Sequence, residues 1–186
     1  MIIGVTGPIG SGTDSLGMLL QERGFKRYSY SDELREDMKK LGIELTRENL
    51  IEYANRIRKE KGTGILSKRI IARMQKGKNY VVGNIRNPGE VEVMRDAKDF
   101  VLVKIDASQE VRFGRMKERQ RESDPITWEE FLKLEERDLG KKEEEHGQQH
   151  WKVFEMADHE IENNGTEEEF RERVERFLVE LENKNV

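Results

Sequence analysis

The sequence predicts an α/β fold in three layers: a central parallel sheet of about five strands with helices on both faces. Two observations carry this. Short apolar runs alternate with stretches of helical periodicity along the chain, the pattern of strand–helix–strand units joined by right-handed crossovers. The first run, Ile2-Ile3-Gly4-Val5, also opens into a glycine turn, Gly7-Pro8-Ile9-Gly10-Ser11-Gly12, ahead of a helix at 15–22 with Leu16, Leu19 and Leu20 on one face.

The other elements follow in order. A second strand is expected around 25–29, a third at Tyr80-Val81-Val82, a fourth from Phe100 to Ile105 and a last near His159-Glu160-Ile161. Residues 32–76 read as almost wholly helical and are too long for a simple crossover, so they are expected to form a helical flap over one end of the sheet. Helix starts are marked by Thr46, with Leu45 and Leu50 as a staple, by Thr127 and Glu130, with Ile126 and Phe131, and by Thr166 and Glu169. The final helix is expected to bury Phe170, Val174, Phe177, Leu178 and Leu181. The run Lys141-Lys142-Glu143-Glu144-Glu145 reads as a solvated helix surface.

Length and composition limit the rest. At 186 residues the chain is expected to be one domain with a real core, 1–186. Charged residues make up 39% with both signs balanced, for a formal net charge of −4, which argues against a general nucleic-acid or anionic-membrane binder. No stretch has the length of a membrane span, and Met1 leads straight into the first strand, so a cytoplasmic protein is expected. With no cysteine, neither disulfides nor thiolate chemistry is available.

The glycine turn has the frame of a P-loop, G-x-x-x-x-G-K-[ST], in which backbone N–H groups cradle phosphates, the lysine reaches the β/γ-phosphates and the hydroxyl holds magnesium. Its donor-phosphate residues are Gly7, Gly10, Ser11, Gly12, Thr13 and Asp14, with Thr13 in the lysine place and Asp14 in the hydroxyl place. Two like charges about 4 Å apart repel by roughly 4 kcal/mol at an effective dielectric near 20, so an ionised Asp14 is expected to oppose ordinary ATP use. In an open α/β sheet, ligands sit beyond the carboxyl ends of the strands. There the chain carries Ser31 to Arg35, then Gly83-Asn84-Ile85-Arg86-Asn87-Pro88-Gly89-Glu90, then a helix with Arg112, Arg115 and Arg119, followed by Arg121 to Asp124. Such arginines suit phosphate oxygens; the competing reading of the stripe is a solvated helix face. His146 and His150 lack the glutamate of a zinc-protease motif and are expected to be exposed, and no metal site is expected. Trp128 and Trp151 read as packing anchors.

On these residues the chain resembles the nucleoside monophosphate kinases and dephospho-CoA kinase. It is most similar to a group of archaeal and bacterial kinase-like proteins with D-G-I-R-N-P-G-E after the third strand and R-E-S-D-P-x-T-W-E-E-F in the lid, here Gly83–Glu90 and Arg121–Phe131. The resemblance implies a P-loop NTPase fold with a helical acceptor flap at 32–76 and an arginine-bearing lid at 112–140. It implies acceptor contacts from Ser31, Arg35 and Arg86, lid catalytic arginines Arg115, Arg119 and Arg121, and a base-side loop at Asn163, Asn164 and Gly165. An active protein of this kind uses ATP and Mg2+ to phosphorylate a nucleoside monophosphate or dephospho-CoA. The partner is then a nucleotide or nucleotide-like small molecule, with a homo-oligomer or partner protein left open. Thr13, Asp14 and Gly83 depart from the family pattern on the donor and metal side. They support the alternative, a silent binding or regulatory protein that keeps the acceptor site.

Overall fold

The computed structural model describes residues 1–97, 99–119 and 127–184, the last without its side chain. In chain order the elements are β1 (Ile2–Thr6), α1 (Thr13–Glu22), β2 (Lys26–Ser29), α2 (Tyr30–Lys40), α3 (Arg47–Lys61), α4 (Ile65–Ile71), β3 (Tyr80–Gly83), α5 (Pro88–Arg95), β4 (Phe100–Asp106), α6 (Gln109–Arg119), α7 (Trp128–Leu139), α8 (His150–Glu155), β5 (His159–Glu162) and α9 (Glu167–Lys184). The sheet order is β2-β3-β1-β4-β5 and every pairing is parallel. All five expected strands are present. The order reverses at β1, which sends β3 to one side and β4 to the other, so a crevice opens beyond the end of β1 where the glycine turn begins.

Strand alternation sends side chains to two separate cores. Ile2, Tyr80, Val82 and Leu102 face α2–α5 and α8, which contribute Leu34, Met38, Ile57, Leu66, Ile70, Met94 and Val153. Ile3, Val5, Val81, Val103 and Ile105 face the opposite way, against Leu16, Leu19 and Leu20 of α1 and Phe170, Val174, Phe177 and Leu181 of α9. A fully buried side chain of this kind contributes roughly 1.5–3 kcal/mol, enough to fix the strand register against a one-residue slip. The last-helix face matches the expected one, with Leu178 only partly buried.

The helix starts at Thr46, Thr127 and Thr166 are capped as expected: their hydroxyls accept from the amides of Asn49, Glu130 and Glu169. Leu45 is exposed, and Ile126 lies outside the described residues. Two expectations need correction. The first helix begins at Thr13, two residues earlier than predicted, because Gly12 at φ +105° caps it and accepts the first helical bond from Leu16. The run 141–145 is solvated but forms turns, not helix. Gly140 adopts a left-handed φ of 68° that closes α7, and a side chain there would collide with the Gln148 carbonyl.

Candidate phosphate-binding site

The glycine turn wraps the end of β1, and its shape is imposed from outside. Gly10, at φ +80°, passes so close to the backbone of Arg112 that a Cβ would sit 2.9 Å from its carbonyl oxygen. Arg112 is buried, contrary to a solvated stripe. Its Nη1 donates to Ile9 O at 3.1 Å and its Nε to Ala107 O at 2.8 Å, while Glu135 of α7 pairs with Nη2. From the loop just after β5, Asn163 Nδ2 donates to Ser11 O at 2.8 Å, and Arg115 Nη2 donates to Asn163 Oδ1 at 3.2 Å. Two turn carbonyls, those of Ile9 and Ser11, are thus tied back by side chains from outside the turn. The Ser11 hydroxyl and Arg115 Nη1 are buried and have no hydrogen-bond partner among the described residues. Burial lowers the pKa of Arg115, though Glu118 opposes this.

Asp14 is not a bare charge. Arg27 of β2 donates from Nη2 to its Oδ1 at 2.7 Å. The guanidinium reaches it by lying along α1 at Gly17, where a Cβ would sit 3.0 Å from Arg27 Nε. The repulsion expected between Asp14 and a phosphate is therefore offset by a cation that the sequence pattern did not reveal.

Across the crevice, Asp138 near the end of α7 is a buried hub. Its Oδ1 accepts from Arg86 Nη1 at 3.0 Å and Arg47 Nη2 at 3.3 Å, and its Oδ2 lies 3.0 Å from His150 Nδ1. Burial alone would push the Asp138 carboxyl up, but Arg86, His150 and Arg47 outweigh it and hold the carboxyl well below the ordinary range. An ionised carboxylate only accepts, so His150 carries a proton on Nδ1. Arg86 also donates to Gln148 Oε1 at 3.2 Å. Its backbone is fixed by Glu90, which accepts from the amides of Arg86 and Asn87 and is itself paired with buried Arg58 at 2.8 Å. His150 is buried, a correction of the expected exposure that this hub explains.

A single cavity of about 1140 Å³ joins the two regions. Gly7, Gly10, Thr13, Asp14 and Arg27 line one end, and Ser31, Arg35, Arg47, Arg86 and Asp138 the other. Arg119 lines it as well. Arg35 is half-exposed and pairs with Asp32 at 2.9 Å. Asn84 next to Gly83 takes a left-handed φ of 63° and donates to Ser29 Oγ at 3.1 Å. Asn163, Asn164 and Gly165 gather beside the turn: Asn164 Oδ1 accepts from the Ser108 amide, and Gly165 O from Arg115. Arg121 lies outside the described residues. Arg27, Arg47, Asp138, Gln148 and His150 escaped sequence reasoning, since each matters through a partner distant in the chain. Trp128 stacks on Phe131 at 5.2 Å and meets Phe113 at 5.4 Å, closing α7 on α6 as a packing anchor. Among the described residues no group of three or more His, Cys, Asp or Glu is placed to hold a metal ion, and no helix is long and apolar enough to cross a membrane.

A parallel 2-3-1-4-5 sheet with this turn at its crevice defines a P-loop kinase-like protein. The family model described as "AAA domain" matches residues 3–145. The UPF0200 protein of Thermococcus kodakarensis is 36% identical, over 97% of this chain and 98% of its own. The chain belongs to the UPF0200 family, within that AAA-domain group. Solved structures share the fold at lower identity. TT1252 from Thermus thermophilus superposes with a TM-score of 0.62 at 20% identity, over 96% of both chains. Shikimate kinase from Acinetobacter baumannii in complex with shikimate gives 0.59 at 18%, over 98% of this chain and 94% of that one.

Proposed function

We propose that this protein binds a nucleotide, as nucleoside monophosphate kinases do, and transfers the γ-phosphoryl group of ATP to a nucleoside monophosphate or to dephospho-CoA. The observation that carries the reading is the continuous cavity from the glycine turn to Arg86 and Arg47. Both arginines are only about a quarter exposed, and two guanidiniums around one carboxylate leave a positive surplus suited to a phosphomonoester dianion. In this reading the turn amides hold the donor phosphates, and Arg86, Arg47, Ser31 and Arg35 hold the acceptor. Arg115, Arg119 and Arg121 bring lid charge to the transferring group, while Asn163–Gly165, which Arg115 also contacts, flank the donor base. The flap at 32–76 and the helices α6 and α7 border the two ligands, in the cytoplasm. Transfer needs no covalent intermediate, only alignment and charge at the moving group.

The residues suit ATP's phosphates better than they suit a protein-held Mg2+. The hydroxyl position is Asp14, which is engaged by Arg27, and among the described residues no group of three or more His, Cys, Asp or Glu is placed to hold a metal ion. No step is therefore assigned to the metal. Thr13, Asp14 and Gly83 favour a second reading, a silent binding protein that retains the acceptor end.

Thermal unfolding with a panel of nucleoside monophosphates, dephospho-CoA and ATP, followed by a coupled turnover assay, tests both readings. A true ligand at 100 times its Kd should add about 2.7 kcal/mol, or roughly 5–11 °C in Tm for a chain of this size. Stabilisation with turnover supports the kinase, and stabilisation without turnover supports the silent protein. No shift with any member sinks both.

A further inference from the structure

We propose that Arg27 is the cation of the donor-phosphate subsite, supplied from β2 in place of the lysine missing from the turn. This rests on the reading above and deepens it. Thr13 leaves the turn without a side-chain cation, yet a nucleoside polyphosphate brings several negative charges to it. Arg27 lines the same cavity end as Gly7, Gly10 and Thr13 and is about one-third exposed, so its guanidinium is reachable by a ligand there. Asp14 holds it at the first turn of α1 through the 2.7 Å bond to Nη2.

Two further observations fit an anion at this position. Gly17 leaves the groove on α1 through which the arginine passes, since a Cβ there would press on Nε. The Ser11 hydroxyl, fully buried against Gly7 inside the turn, has no hydrogen-bond partner among the described residues. In this arrangement Asp14 positions the guanidinium when the turn is empty. A polyphosphate oxygen then competes for the remaining donors of Arg27, and the pair replaces one mobile lysine with an oriented fork.

The test is calorimetric titration of the full chain with ATP and, separately, with inorganic tripolyphosphate and a nucleoside monophosphate. Arg27→Gln should raise the Kd for ATP and tripolyphosphate roughly tenfold to a hundredfold, leaving monophosphate binding at the far end within about twofold. Arg27→Lys, which keeps the charge, should recover part of the loss and guards against a folding defect in the first variant. Asp14→Asn should tighten tripolyphosphate binding, because it frees the guanidinium. Unchanged ATP and tripolyphosphate binding in Arg27→Gln overturns the inference alone, as does a loss in Asp14→Asn equal to that in Arg27→Gln. Tripolyphosphate binding without ATP binding limits the subsite to a bare polyphosphate and also overturns it. If the natural chain binds neither, the inference falls together with the donor half of the proposed function, while monophosphate binding preserves the acceptor half.

Discussion

Asp138 is the residue on which most of the candidate site turns, because three cationic or proton-bearing groups converge on one buried carboxylate. Asp138→Asn leaves Arg47 and Arg86 facing each other without a counter-ion, and removing one partner of a buried pair costs about 3–5 kcal/mol. The Tm at neutral pH should fall accordingly. The pH dependence follows from the sign of the shift. A carboxyl held below its unfolded value adds stability that is fully present above that value and is lost as pH falls toward the folded one. The Tm gap between natural chain and variant should therefore narrow below about pH 4. A gap that stays constant into acid would show that the carboxylate charge is not what stabilises the fold. At this scale the sequence was half legible. Arg86 stood out because it follows a strand end inside a recognisable run, and Arg35 and Ser31 because they follow another. Arg47 and Asp138 did not, since they are 91 positions apart and neither has a local pattern that signals burial.

At the scale of elements, α5 positions more of the site than its eight residues imply. Asn87 and Glu90 form a capping box with Pro88 at the first position. The Asn87 amide also donates to the carbonyls of Glu145 and Gly147, at 2.7 and 2.8 Å, anchoring the segment that delivers Gln148 and His150. Asn87→Ala should lose about 1–2 kcal/mol for the cap alone. Monophosphate affinity should fall with it, because Arg86 loses the alignment of Gln148. Equal affinity in the variant, measured by the same titration, would make the box a stability device only. Caps at Thr127 and Thr166 were readable because a hydroxyl with an acid three residues on is a local signal, and the cap at Thr46 because apolar Leu45 and Leu50 flank it at staple spacing. The turns at 141–145 were misread because lysines followed by glutamates carry helical spacing whether or not the backbone is helical. What decided the outcome was Gly140, whose left-handed geometry depends on the nearby Gln148 carbonyl.

For the whole molecule, the fold class was legible because the three inner strands β1, β3 and β4 are largely apolar runs, as the buried strands of a parallel sheet require, while the edge strands β2 and β5 are mostly polar and more exposed. The order β2-β3-β1-β4-β5 was not, because strand neighbours are chosen by surfaces that meet only in three dimensions. The two cores divide the chain unevenly. One is built mostly from consecutive helices between β2 and β4, while the other joins α1 to α9 across the length of the chain. Phe177→Ala should cost about 3–5 kcal/mol by opening a cavity in the second core while leaving monophosphate Kd unchanged, since the cavity that holds the site does not touch it. A matching loss of affinity would show that the cores are not energetically separate. The uneven division also governs the protein's history on the ribosome. At about 5–20 residues per second, Leu16, Leu19, Leu20 and Phe25 wait roughly 7–30 s, with their sheet face uncovered, for the helix that will shield them. The nascent chain is therefore stickiest on the side away from its ligand cavity until α9 has been synthesised.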